Sequence, residues 1–158
     1  MPYTFYLQDE AATAAFAQQL APFLAHPPHS GGRLYLHGDL GAGKTSFVRA
    51  LLRTLGVSGR IKSPSYALAE SYALSEQNAY HLDFYRFDDP REWIDAGFRE
   101  LLTEPNAIVL IEWPEKAKGL LPDPDLELHL HYQEPGRSLS LHPHTEKAHR
   151  WVKALSTP

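Results

Sequence analysis

The 158-residue sequence predicts an α/β protein with a mixed sheet, a parallel core flanked by antiparallel strands. Three observations predict it. The first is a run of five apolar residues, Ala107 to Ile111 in "NAIVLIEWPE", which suits a strand covered on both faces, as in a parallel sheet. The second is two pairs of strand-like segments with short connections, which suit antiparallel neighbours. The third is a set of segments between them with apolar residues at helical spacing.

In chain order, "DEAATAAFAQQLAPFL" reads as a helix over roughly Glu10 to Leu24, with Ala12, Phe16, Leu20 and Phe23 in register and Asp9 as cap. "AHPPHSGG" reads as a loop and "RLYLH" as a short strand. "GKTSFVRALLRTLG" follows as a helix with Phe47, Val48, Leu51, Leu52 and Leu55 on one face, and Gly56 ends it. "YALAESYAL" and "AYHLDFYRF", separated by "SEQN", form the first strand pair. "DDPREWIDAGFRELL" reads as a helix capped by Asp89, with Pro90 in its first turn. After the apolar strand, "DLELHLHYQ" and "RSLSLHPH" alternate across the turn "EPG" and form a hairpin, and "TEKAHRWVKAL" closes the chain as a helix.

Composition narrows the functions. The length suits one domain, 1–158, with a single core. A net charge of −4 argues against a free-standing DNA or RNA binder, which usually carries a basic excess. The aromatic residues lack interleaved Lys and Arg, so they suit cores better than a nucleic-acid platform. With no cysteine, disulfides, thiolate metal sites and cysteine nucleophiles are excluded. No stretch approaches the ~20 apolar residues of a membrane span, and the first residues lack a signal-peptide pattern. A cytoplasmic location is the expectation.

The chemistry starts at Gly38-Asp39-Leu40-Gly41-Ala42-Gly43-Lys44-Thr45, which matches G-x-x-x-x-G-K-[ST] in full, after a strand and opening a helix. Glycines let successive backbone N–H groups turn toward phosphate oxygens, and the helix adds the positive end of its dipole. Lys44 is placed to reach the β- and γ-phosphates, and the Thr45 hydroxyl to ligate a metal. The expected architecture is therefore a P-loop NTPase-like three-layer α/β/α fold. No N/T-K-x-D base-reading motif occurs, so adenine is expected by default and the cofactors are ATP and Mg²⁺.

Such a site needs a carboxylate at the end of a neighbouring strand and a group that orients water. Glu112 follows the run "AIVLI", and Asp83 lies in "YHLDFYR". A carboxylate in an apolar strand is costly unless it meets a metal or a donor. The plainer reading of either is an ion pair with Arg86 or Arg91. Ser63 and Ser65 bracket Pro64, and a hydroxyl there can sense the γ-phosphate; on composition alone the segment is an ordinary loop.

Four segments in order, "GDLGAGKT", "KSPSYAL", "HLDFYR" and "IEWPEKA", closely resemble the bacterial TsaE (YjeE) family, the small ATPase of tRNA threonylcarbamoyladenosine biosynthesis. The resemblance runs from the first helix to the last hairpin. It implies that Lys44 and Thr45 serve phosphate and magnesium, that Glu112 contacts magnesium or its water, and that Asp83 is a second essential acid and metal residue. It places Trp113 near the nucleotide, assigns a switch role to Ser65 where the family usually has threonine, and lets Ser46 donate to a phosphate. Thr13 and Arg137 look similar to positions near the base. The implied partner is a TsaD–TsaB pair, which modifies adenosine 37 of tRNAs reading codons that begin with A. ATP hydrolysis would reset that pair between turnovers, with tRNA met only through it.

Two other functions fit the loop. A small-molecule kinase would need an acceptor pocket and an arginine-bearing lid, for which this element order leaves little room. A nucleotide-gated binding module would bind ATP without turnover. Separately, His129, His131, His142 and His144 form two H-x-H pairs on the expected hairpin, where alternation gathers them on one face. An exposed polar strand face is the plain reading and a metal site the alternative.

Overall fold

The computed structural model describes residues 3–25, 31–61, 64, 69–85, 89 and 98–156. Its strands are β1 (Tyr3–Leu7), β2 (Gly32–His37), β3 (Ala69–Ala73), β4 (Asn78–Asp83), β5 (Ile108–Glu112), β6 (Leu126–Gln133) and β7 (Gly136–Pro143). The helices are α1 (Glu10–Ala25), α2 (Lys44–Thr54), α3 (Phe98–Leu102) and α4 (Glu146–Leu155), with a 3₁₀ turn at Pro114–Ala117. One seven-stranded sheet runs β1-β7-β6-β2-β5-β4-β3. β6, β2, β5 and β4 are parallel neighbours, while β3 on one side and β7 with β1 on the other are antiparallel.

This is the expected mixed sheet, with one addition. The sequence reading began with a helix, yet β1 precedes it and pairs with β7. The stretch "YTFYL" lacks clean alternation because only Leu7 is buried, which is the signature of an edge strand half in solvent. The strand pair, the hairpin and the closing helix lie where the sequence put them. Of the helix read over "DDPREWIDAGFRELL", only Asp89 and Phe98–Leu102 fall among the described residues, the latter helical, and Pro90 in its first turn lies outside them.

The two faces of the sheet differ. Leu34, Leu36, Ile108, Leu110, Leu126, Leu128, Leu139 and Leu141 point to one face and pack with Phe16, Leu20, Leu24, Phe47, Leu51 and Trp151 of α1, α2 and α4. Burying each such side chain stabilises the fold by about 1.5–3 kcal/mol, so this layer holds most of the core. The residues between them along β2, β4 and β5 point the other way. Tyr35, Tyr80, Leu82, Val109 and Ile111 pack against Leu102 and Ala117 of α3 and the 3₁₀ turn. Helix ends are fixed by the residues expected: the Ala12 N–H donates to Asp9 Oδ1 at 2.8 Å, and the α2 C-terminus turns at Gly56 with the Val57 N–H on the Leu52 carbonyl.

Candidate functional site

The segment Gly38–Gly43 bridges the end of β2 and the start of α2, at the carboxyl edge of the parallel strands. Ligands in open α/β sheets bind at that edge. Two glycines are structurally required. Gly43 sits in the left-handed region at φ 103°, and a Cβ there would lie 2.0 Å from Arg137 Nη1. A Cβ on Gly38 would lie 2.5 Å from the Leu130 carbonyl oxygen. Asp39, Leu40 and Gly41 are exposed while Ala42 is buried, so the loop stands proud of the sheet and is anchored at its end. Lys44, Thr45 and Ser46 occupy the first turn of α2, where backbone N–H groups lack intrahelical acceptors.

Lys44 is buried, at 5% exposure. Its ammonium donates to the Gly38 carbonyl and lies 3.8 Å from the centre of the Trp113 ring. Burial pushes its pKa down, and the carboxylates of Glu112, Glu115, Asp83 and Asp39 pull the other way. Trp113 has φ 58°, a left-handed conformation that costs a bulky residue about 1–2 kcal/mol. That turn lays its ring between Lys44 and Tyr85, whose ring centre is 5.1 Å away.

The acids come from adjacent strands. Asp83 and Glu112 are cross-strand partners of β4 and β5, and Leu36, two residues before the loop, is Glu112's partner in β2. The alternation that directs Ala79, Ile108 and Leu110 to the helical layer directs His81, Asp83 and Glu112 to the same side, beneath α2. Glu112 is 2% exposed and fully engaged: Thr45 Oγ1 donates to its Oε1 at 3.1 Å, and His81 Nε2 lies 2.5 Å from its Oε2. Asp83 Oδ1 accepts from the Tyr85 N–H at 2.9 Å. Burial raises the Asp83 pKa, opposed by that N–H and reinforced by the Glu112 charge.

Arg137 enters from β7. Its Nη1 packs on Gly43 and is buried with no hydrogen-bond partner. A buried guanidinium N–H without an acceptor is costly, and an anion at the loop would satisfy it. Thr13 is buried on α1, and its hydroxyl donates back to the Asp9 carbonyl at 3.3 Å. Ser65 and Ser63, the expected sensors, lie outside the described residues, as do Arg86 and Arg91 as ion-pair partners for the acids.

One hydroxyl and two carboxylates thus converge beside a buried lysine and an unsatisfied arginine. The oxygen set is hard and suits Mg²⁺, and the cationic set suits phosphate. Sequence reasoning passed over His81, the group that positions Glu112 and whose Nδ1 is itself buried without a partner. A histidine between Tyr80 and Leu82, two residues before an acid, is the signal that was available.

The family model described as threonylcarbamoyl adenosine biosynthesis protein TsaE matches residues 7–139. A Haemophilus influenzae protein named tRNA threonylcarbamoyladenosine biosynthesis protein TsaE is 36% identical over 154 residues, 97% of each chain. A Synechocystis protein of the same name is 38% identical over 124 residues, 73% of each chain. The crystal structure of Bacillus subtilis YdiB superposes with a TM-score of 0.77 over 99% of this chain and 95% of that one, at 23% identity, and so shares the fold.

Proposed function

This chain belongs to the TsaE family of threonylcarbamoyl adenosine biosynthesis proteins, and on that premise we propose that it binds ATP with Mg²⁺ at Gly38–Thr45 and hydrolyses it in support of tRNA threonylcarbamoylation. The observation that carries this reading is the hydrogen bond from Thr45 Oγ1 to Glu112 Oε1 at 3.1 Å. It joins the hydroxyl that follows the loop lysine to the acid at the end of the neighbouring strand, the pair a phosphate-loop NTPase needs.

The roles follow from placement. Backbone N–H groups of the loop and of the first turn of α2, including that of Ser46, cradle the phosphates. Lys44 exchanges the Gly38 carbonyl for β- and γ-phosphate oxygens, and Arg137 gains the acceptor that it lacks. Thr45, Glu112 and Asp83 would hold the metal. Bound there, Mg²⁺ would draw negative charge from the phosphate oxygens. His81 fixes the Glu112 carboxylate so that it orients water or the metal's water shell. In the overall reaction the water oxygen bonds to the γ-phosphorus, the bond to the bridging oxygen of ADP breaks, and a proton passes to solvent. Trp113 lies where it would register the nucleotide, and Ser65 is assigned the switch role by resemblance alone.

The partner in this reading is a TsaD–TsaB-type pair, with tRNA reached through it. Among the described residues no helix is long and apolar enough to cross a membrane. The test is phosphate release from Mg·ATP, measured with and without that pair. Slow release that rises on adding the pair is expected. Mg·ATP should also raise the melting temperature, and Lys44→Ala should abolish that rise. An undiminished rise in the variant removes the loop from nucleotide binding; failure of the pair to bind or stimulate removes the partner.

A further inference from the structure

The second face of the sheet is only partly covered. α3 and the 3₁₀ turn pack beneath β2, β4 and β5, and among the described residues no helix packs beneath β6 and β7. On this side the alternation gathers His37 at the end of β2, Glu127 and His129 of β6, and His142 of β7, with His144 just beyond. The His129 ring stacks on His37 with centres 4.3 Å apart and planes at 7°, and His142 flanks it at 4.5 Å. His37 Nδ1 lies 3.0 Å from Glu115 Oε2, and its Nε2 lies 2.8 Å from Glu127 Oε1. The other Glu127 oxygen meets His144 Nε2 at 2.7 Å.

We propose that His37, Glu127 and His129 form a binding site for a divalent transition-metal ion of the Zn²⁺ class, on the opposite face of the sheet from the phosphate-loop acids. One ligand atom from each lies within 4.8 Å of the other two. Zn²⁺ ligands sit about 2.0–2.2 Å from the ion, so the three atoms need to lie roughly 3–3.5 Å apart: His37 Nε2 and Glu127 Oε1, at 2.8 Å, open slightly, and longer separations shorten. All three side chains are half-buried, which leaves the rotamer freedom for that adjustment.

Hydrogen-bond accounting on His37 points to a cation. A neutral imidazole carries one N–H, yet both ring nitrogens face carboxylate oxygens. One contact therefore places a lone pair against a carboxylate unless a proton or a metal ion lies between. With Nδ1–H donating to Glu115, the Nε2 lone pair is presented on the Glu127 side. A carboxylate on the far nitrogen of a ligating histidine is the usual support of a zinc-bound imidazole, because it fixes the tautomer and raises ligand basicity. His129 offers a second imidazole, its ring stacked on His37 with one ligand atom inside the three-atom cluster. Two imidazoles and one carboxylate, with no thiolate, favour Zn²⁺ and its neighbours over Mg²⁺ or Ca²⁺. A cleft lined by Tyr35, His37, Glu115 and Glu127 gives the ion a path and a water its fourth position.

The test is calorimetric titration of the full chain with ZnCl₂, repeated on Glu127→Gln and His129→Phe. The second variant keeps an aromatic ring on His37 while removing the ligand nitrogen. One equivalent of Zn²⁺ with a dissociation constant of about 10 µM or below is expected. Each variant should weaken it at least tenfold while the Mg·ATP thermal shift stays as in the parent. Glu115→Gln, which removes the support and no ligand, should weaken Zn²⁺ by about 10-fold. Absence of binding in the parent overturns the proposal and leaves a hydrogen-bonded network held by protons. Binding that either variant leaves unchanged overturns it too, and places the ion elsewhere, such as at Glu112 and Asp83. Should a variant fold poorly, Co²⁺ titration of the unaltered chain decides: intense visible bands of a four-coordinate ion support the site, and the weak bands of a six-coordinate ion overturn it.

Discussion

Glu112 and Glu127 are the same side chain on opposite faces of one sheet, each held by two partners. Glu112 lies under α2 at 2% exposure, between Thr45 and His81. Glu127 lies on the other face, beneath β6 where no helix packs among the described residues, at 25% side-chain exposure, between His37 and His144. Burial decides what each pairing is worth. Beneath α2 the partners have no water to fall back on, so the contacts are obligatory and the geometry is rigid. On the open face water competes, so the contacts are individually weak and exchangeable. The covered face suits a site that must aim a reacting atom, and the open face suits one that can trade a proton for a metal ion.

The largest effect should come from the covered side. Glu112→Ala is expected to lower partner-stimulated phosphate release by about 10²- to 10⁴-fold, the range for losing a group that handles the attacking water. It should also destabilise the fold by about 1–3 kcal/mol, because His81 is left in the core with neither ring nitrogen partnered. Glu112→Gln keeps the shape and should cost less stability for a similar loss of activity. Urea unfolding and a phosphate-release assay on both variants separate the two effects. Normal turnover in either would remove Glu112 from the mechanism and erase the contrast between the faces.

Next is Arg137→Met. The side chain keeps its volume against Gly43 and loses the buried cation. ATP affinity should fall about tenfold, or about 1.4 kcal/mol. Because the lost guanidinium nitrogen had no partner, stability without nucleotide should hold or rise. A weaker fold together with unchanged affinity would show that Arg137 serves packing only.

What could be read from the sequence follows the same division between local and long-range order. The loop, the α2 stripe of Phe47, Val48, Leu51 and Leu52, and the β5 run are local patterns, and each signals its own environment. Glu112 and Asp83 stood out because carboxylates in apolar strands demand a reason. The edge strand β1 did not stand out, since its pairing with β7 spans the whole chain and little of it is buried. His81 was missed because its partner lies 31 residues away on another strand. The face shared by His129 and His142 was legible from alternation. That His37 joins them required the β2–β6 register, which no local pattern contains.

Asp83→Asn tests the electrostatics of the covered face at smaller amplitude. Folding raises the Asp83 pKa above its ordinary 3.8, through burial and the nearby Glu112 charge. A carboxyl with a raised folded pKa contributes stability below its unfolded pKa and loses that contribution as pH rises through the folded value. At neutral pH the ionised group is therefore a liability that asparagine lacks, while the acceptor for the Tyr85 N–H is kept. The variant should melt about 1–3 °C higher than the parent at pH 7, with the difference closing toward pH 4. A variant that melts lower at pH 7 would mean that the charge is stabilised by groups other than these.

The smallest effect, and the sharpest on the comparison, is Glu127→Gln with chelator present to exclude metal. Burial opposes ionisation of Glu127, but hydrogen bonds from His144 and His37 outweigh it and hold its pKa below the ordinary 4.5. A depressed folded pKa has the opposite sign: it contributes stability above the unfolded pKa and loses it as pH falls through the folded value. The parent should therefore melt higher than Glu127→Gln at pH 7, by no more than about 3 °C because solvent screens the pairs, and the two should converge below pH 4. Phosphate release should be unaffected. Scanned side by side from pH 7 down to 4, the two variants should approach the parent from opposite directions, Asp83→Asn from above and Glu127→Gln from below. Approach from the same side would break the comparison, because the two faces would then hold their carboxylates by the same balance of burial and pairing.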